Sequence, residues 1–506
     1  MAWLDWVALA GYFLVMLLIG LWSHRRISTV GDYFTGGGRM PWWLSGISHH
    51  MSGYSAAVFV AYAAVAYSYG ITVYFWAFVP LAVGTGVGAF LFAPRWNRLR
   101  ARFSVVSPLE YLAKRYNIPT QQALAWSGAL LKVFDVAAKW ASVAILLKVF
   151  TGIPMTTGII ITGIVTLLYC TVGGLWADAL TDFGQFIIQG VAALSMLIAV
   201  IVKLNGHGGL AGMWDKLPAG HSHPLVGPYT AGFLTAYLVI KLFEYNGGMW
   251  NLAQRYMATD SAASARRSAG LSAVLYLIWP LVLLFPSVAA GVLMPNVADA
   301  QQVYALMAKA YLPAGLVGLT LAGMFSHTMA MASSDANAIS AVVTRDILPV
   351  VSRRARTMST RAGLLAARVC TVVFVSISMV VAIEADHFGG VLGIIVALVA
   401  AVMGPISIPM LLGLLPAFRR CGPVAALSSW ALGLGAYFLL KYGIEPSGQT
   451  AIVATPLITS LVVYVGVGLL KPEPNDEADA IVAAVGSDGP RGAAAKAPVP
   501  AAPAVD

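Results

Sequence analysis

The sequence predicts an all-α polytopic membrane protein, and three observations carry that expectation. Of the 506 residues, 59% are hydrophobic and only 10% charged, with a mean hydropathy of +0.79. That is more apolar surface than a water-soluble chain can hide. Apolar runs of the roughly 20 residues needed to cross a bilayer recur as far as residue 470. Basic residues fall in alternate loops, as the positive-inside rule requires.

About thirteen spans are expected, near 4–22, 43–70, 73–94, 122–150, 155–176, 179–203, 230–254, 268–294, 312–342, 364–384, 389–416, 424–441 and 450–470. Arg25, Arg26 and Arg39 follow the first span. Arg95, Arg98, Arg100, Arg102, Lys114 and Arg115 follow the third. Arg255, Arg266 and Arg267 follow the seventh, Arg345, Arg353, Arg354, Arg356 and Arg361 the ninth, and Arg419 and Arg420 the eleventh. The intervening loops hold little beyond Lys203, Lys216, Lys309 and Lys441. This alternation places the N-terminus outside a cell's plasma (inner) membrane and the C-terminus in the cytoplasm. The formal charge of +10 is not gathered into one patch, which argues against a nucleic-acid partner.

The first apolar run has no basic flank or small-residue cleavage site and is expected to be a retained span. Cys170, Cys370 and Cys421 form no disulfide framework and no metal spacing. His207, His221 and His223 read as surface histidines of an outer loop. Residues 471–506 turn to Pro, Ala, Gly and acidic residues and are expected to be a disordered cytoplasmic tail. The membrane domain is then 1–470.

Two spans are interrupted. Leu44 to Gly70 carries Ser48, His49, His50, Ser52, Gly53 and Ser55 in its first half. A plain kink at Gly53 would explain this, but broken helices also line the midplane sites of secondary transporters. A second interruption, Glu244, Asn246, Gly247, Gly248 and Asn251, lies five spans later. Paired breaks at matching positions favour a transporter. No nucleophile–base pair, zinc motif or phosphate loop points to an enzyme.

Three segments resemble the sodium:solute symporter family, whose members carry sugars, proline and other small solutes. GGLWADALTDFGQ at Gly173–Gln185 resembles the family's Gly-Gly-Leu … Thr-Asp … Gln turn. AQRYMA at Ala253–Ala258 resembles its Gln-Arg pair after the broken seventh span, with Pro280 following. The Ser-rich ninth span, with Asn337 and Asp346, resembles the third. The resemblance covers roughly residues 4–470. It implies a five-plus-five inverted-repeat (LeuT-like) core, with repeats at about 43–203 and 230–416, and no cofactor beyond Na⁺ as the coupling ion.

The family's main sodium site uses carbonyls from the first break, here Ser48 and Met51, and hydroxyls from the ninth span. In the ungapped register those hydroxyl positions are Ala330 and Met331, which offer no side-chain oxygen. Na⁺ prefers a shell of oxygens, so the resemblance shifts it towards Asp182, Ser333, Ser334 and Asp335. First-turn stabilisation of a helix is the plainer role for Asp182, and ion pairing for Asp335. His49, His50 and His327 leave a proton-coupled cycle open, though most of them are expected to be satisfied core residues.

For the solute, Asp135 stands where sugar-carrying relatives have an amide, with Lys139 four residues on and Lys132 one turn before. A self-neutralised ion pair is the simpler reading of these three. Tyr245 matches the family's aromatic gate. His50, Ser55, Tyr74, Glu244, Asn246 and Trp250 complete the candidate pocket. The expectation is sodium-coupled uptake of a small polar solute, a sugar first, by a functional monomer in a lipid bilayer. A proton-coupled or uncoupled carrier and a non-transporting membrane sensor are the alternatives.

Overall fold

The computed structural model describes residues 1–23, 30–384, 401, 403–444 and 449–487. Helix α1 (Trp3–Ser23) presents Trp3, Leu14 and Leu18 outwards. The second span is broken: α2 (Trp42–Met51) stops at Ser52 and Gly53, and a π-helical turn, Val58–Tyr62, leads into α3 (Ala63–Tyr69). Residue 53 must lack a side chain, because a Cβ there would lie 1.9 Å from the Tyr276 hydroxyl oxygen. Helix α4 (Val79–Leu91) forms the third span, and α5 (Ala93–Phe103) is amphipathic with four arginines.

Asn117 caps α6 (Ile118–Thr151), its side chain accepting the Thr120 N–H at 2.9 Å. A 115° bend joins α6 to α7 (Met155–Leu204). The 50 residues of α7 turn at Gly174 (φ +52°, ψ −162°) and so run as two spans. That is close to the division expected between the fifth and sixth spans.

The seventh span repeats the break. Helix α8 (Ala231–Phe243) meets a π-helical turn, Glu244–Gly248, whose Gly247 has φ +133°, and α9 (Trp250–Ala258) continues. Helix α10 (Ala262–Leu293) tolerates Pro280 and Pro286 within it. Helix α11 (Leu316–Val342) is the axis of the bundle. Its apolar stretch is 89% buried, against at most 56% for the other apolar helices among the described residues. The Asp5 carboxylate of α1 fixes its start, accepting from the N–H groups of Gly315 (2.6 Å) and Gly318 (2.9 Å). Helices α12 (Thr360–Ile383), α13 (Pro423–Leu439) and α14 (Gln449–Leu470) follow.

Among the described residues, eight helices are long and apolar enough to cross a membrane, or nine with the bent α6–α7 pair. This is fewer than the expected thirteen because the polar breaks cut the second and seventh spans into short pieces and the fourth and fifth count together as the one bent pair. The eleventh expected span, 389–416, lies largely outside the described residues.

The expected disordered tail is corrected in part. Residues Asp476–Gly486 form helix α15, capped by Asn475, with Ala478, Ile481, Val482 and Val485 buried. Spaced at helical period, these four side chains give one apolar face, which packs on α5. Arg98 donates to the Val485 carbonyl (2.8 Å), Arg102 to those of Ala484 and Ser487, and Lys114 pairs with Glu477 at 3.0 Å. Too few apolar residues to fold alone suffice once a surface exists to receive them. Residues 488–506 lie outside the described residues.

Candidate ion and solute sites

The two breaks face each other. The Tyr245 hydroxyl donates to the Gly53 carbonyl, and Asn251 donates to the Ser52 carbonyl at 3.4 Å. Beside them the structure gathers charge in two buried clusters, one on each side of α11.

The first cluster joins α2, α7, α9 and α11. Asp182 Oδ2 accepts from Ser48 Oγ (2.5 Å) and Ser52 Oγ (3.3 Å), and Ser52 Oγ lies 2.8 Å from Ser334 Oγ. The Arg255 guanidinium sits among them. It donates to Ser48 (2.9 Å), Ser52 (3.1 Å), Ser334 and Asp178, and lies 3.6 Å from Asp182. Ser333 and Ser334 also donate to Asp178. Asp182 Oδ1 is buried with no hydrogen-bond partner.

Of the expected cation residues, Ser48, Asp182, Ser333 and Ser334 therefore meet. It is the hydroxyl of Ser48 that reaches Asp182, while its carbonyl accepts the Ser52 N–H at 2.9 Å. Met51 is fully buried at the end of α2. Asp335 is a correction: Lys132 holds its Oδ1 at 2.8 Å and Lys139 its Oδ2, so two ammonium groups already occupy it. It faces α6, away from its sequence neighbours Ser333 and Ser334, because successive residues of a helix point about 100° apart.

The second cluster lines a cavity of about 60 Å³. Lys132 and Lys139 both bind Asp135 Oδ2, at 2.8 and 2.9 Å, and so bridge Asp135 to Asp335. Across the cavity Lys241 holds Glu244 at 2.6 Å and lies 4.6 and 5.1 Å from the ring centres of Tyr237 and Tyr245. Ser55, Asp135, Lys139, Glu244 and Tyr245 line the cavity, joined by Met331.

Four expected pocket residues lie elsewhere. Asn246 points into α4, donating to the carbonyls of Gly84 (2.9 Å) and Leu242 (2.7 Å). Trp250 is buried against Gly128. Tyr74 donates to the Leu277 carbonyl at 2.9 Å, and His50 is bound to the Tyr54 hydroxyl at 2.8 Å. In each case helical phase turns the side chain out of the cavity. His49, likewise, is stacked on Tyr256 with ring centres 4.9 Å apart.

Asp178 and Lys241 are absent from the sequence reading, and Ser52 enters it only as part of the first break. Arg255 enters only as a loop arginine and half of the Gln-Arg pair, whereas it is fully buried. The signal for Asp178 and Lys241 is helical spacing: Asp178 lies four residues before Asp182, and Lys241 three before Glu244, on shared faces.

Broken spans facing each other around buried charge define a membrane transporter and not an enzyme. The model of the sodium:solute symporter family matches residues 33–433, well over half of the chain. The chain belongs to that family, whose members couple movement of a solute to sodium. It is 25% identical over 364 residues to the sodium/sialic acid symporter SiaT of Proteus mirabilis, covering 69% of this chain and 72% of that one. It is 24% identical to the sodium/glucose cotransporter of Vibrio parahaemolyticus (69% of each). To the human sodium/iodide cotransporter it is 25% identical (91% and 74%). The fold matches the substrate-bound, outward-open structure of a Na⁺-coupled sialic acid symporter with a TM-score of 0.78 at 21% identity, covering 94% of this chain and all of that one. A nucleobase-cation-symport-1 transporter in a closed conformation matches with a TM-score of 0.56 at 14% identity (90% and 99%). Both share the inverted-repeat, LeuT-like fold.

Proposed function

We propose that this chain is a sodium-driven importer of a small polar organic solute, with the ion held at Asp182 and the solute between the two breaks. The observation that carries the ion site is Asp182 Oδ1, buried and unpartnered beside the hydroxyls of Ser48, Ser52, Ser333 and Ser334. A carboxylate oxygen sealed from water is costly unless something pairs it. A hard monovalent cation is the partner that carboxylate and hydroxyl oxygens suit. The charge agrees: two carboxylates, Asp178 and Asp182, against one guanidinium leave one negative charge for one Na⁺ to neutralise.

Met331 and Ala330 support the same placement, since the position that relatives build from hydroxyls has lost them. The position of Asp135 alone favours a sugar, whereas the charges around the cavity support an ionised solute better. The working unit is a monomer in the plasma membrane, N-terminus outside and C-terminus inside. Consistent with that orientation, α15 and the arginines of α5 share one side of the molecule. Reporter fusions at Arg100, Gly220 and Arg354 should read inside, outside and inside.

The test is uptake of a radiolabelled solute panel into proteoliposomes under imposed Na⁺ or pH gradients. Accumulation driven by Na⁺ supports the reading. Accumulation on a pH gradient without Na⁺, or indifference to both gradients, would overturn it.

A further inference from the structure

Three lysines and two carboxylates, Asp135 and Glu244, line one membrane-embedded cavity, with the Asp335 carboxylate buried behind Lys132 and Lys139. That is far more full charge than a neutral solute requires. An ammonium group has three N–H donors. Lys132 and Lys139 each spend two on Asp135 and Asp335, and Lys241 spends one on Glu244. Each therefore keeps at least one donor. Asp135 is engaged only through Oδ2 and Glu244 only through Oε2, so each keeps an oxygen for a further donor. The cluster thus offers unspent capacity of both signs, from α6 on one wall and the seventh-span break on the other.

Its net charge decides between solutes. Lys132, Lys139 and Lys241 balance Asp135, Asp335 and Glu244. A solute carrying one net charge would leave that charge uncompensated away from water. A neutral polyol would leave charged donors and acceptors facing only hydroxyls. A zwitterion meets both needs and adds no net charge. The cavity has about 60 Å³ of room, which accommodates a small solute with a short side chain. Met331 and Met249 supply apolar wall for such a side chain.

We infer that the transported solute is a small zwitterion, its carboxylate bound by Lys241 with the spare donors of Lys132 and Lys139, its ammonium by Asp135 and Glu244. This rests on reading the cavity as the solute site of a sodium-driven importer. The test uses the purified full-length protein and four probes: L-alanine, lactate (hydroxyl in place of the ammonium), 2-aminopropane (no carboxylate) and glucose. Affinity is read from the shift in thermal midpoint, with and without Na⁺.

L-Alanine should bind at least about tenfold more tightly than each other probe, since a buried polar site rejects analogues that leave its groups unpaired. Glu244→Gln gives the cavity one net positive charge and should raise the lactate-to-alanine affinity ratio about tenfold. Lys241→Gln should do the same for 2-aminopropane. A purely structural Lys241–Glu244 pair would lower stability without such reciprocal shifts. No response to alanine, glucose or lactate binding as tightly as alanine, or unchanged ranking in both variants would overturn the inference. Na⁺-dependent binding of glucose would remove the zwitterion and leave the importer standing. Alanine binding indifferent to Na⁺ would do the reverse.

Discussion

Replacing Asp182 with Asn tests the ion site directly. The substitution keeps the shape and one oxygen, but removes the negative charge that the Asp178–Arg255 pair does not cancel. The fold should survive it, because Arg255 retains Asp178, Ser52 and Ser334 as partners. At 3.6 Å, the Arg255–Asp182 separation, two unit charges interact by about 4–5 kcal/mol at an effective dielectric constant near 20. Sodium gains attraction of that order from Asp182, and repulsion from the same guanidinium offsets part of it. The net loss expected on neutralising Asp182 is that of a charged polar contact, about 1.5–3 kcal/mol. At 1.4 kcal/mol per decade this raises the half-saturating Na⁺ concentration roughly ten- to a hundredfold. Solute uptake measured over a Na⁺ series at constant ionic strength reads the shift, and the thermal midpoint without Na⁺ checks the fold. An unchanged half-saturating Na⁺ concentration in a well-folded Asp182→Asn protein would refute the placement of the ion.

Asp178→Asn breaks a fully buried pair and should lower stability by about 3–5 kcal/mol, seen as a fall in thermal midpoint larger than that of Asp182→Asn. Asn246→Ala removes two buried hydrogen bonds, to the carbonyls of Gly84 and Leu242. At about 0.5–1.5 kcal/mol each, this should cost about 1–3 kcal/mol of stability, with the transport KM nearly unmoved. A raised KM at unchanged stability would return Asn246 to the pocket. His221 of the outer loop donates from Nε2 to the Ser68 carbonyl, and its own carbonyl accepts the Ile71 N–H at 2.9 Å. Burial lowers its pKa below the ordinary 6.5, so docking favours the neutral ring. That stabilisation is complete above pH 6.5 and is lost as pH falls below it. Hydrogen exchange at the Ile71 amide should therefore quicken, after correction for intrinsic rates, between pH 7.5 and pH 5.

The breaks were legible in the sequence because Gly53 and Gly247 interrupt apolar runs where a simple span has no use for them. Asp182 was legible through its family-like turn, and the Asp135–Lys139 pair through its spacing. Their partners were not, because a partner on another helix leaves no local trace. Nothing near Asp335 says that two lysines some 200 positions earlier take both of its oxygens. Asn246 misleads for a different reason: a π-helical turn changes the angular phase of the residues in it, so which of Glu244, Tyr245 and Asn246 faces inward cannot be counted from a regular helix. The helix at Asp476–Gly486 escaped notice because its short apolar face looks marginal until α5 is there to receive it.

That last helix bears on how the chain is made. A ribosome delivers the arginines of α5 nearly four hundred residues before the carbonyls of Ala484 and Val485 that receive them. Throughout synthesis the first half of the protein must insert with this contact open. It closes only when residues 476–487 have emerged, so a chain cut short anywhere earlier would present Arg98 and Arg102 without these acceptors.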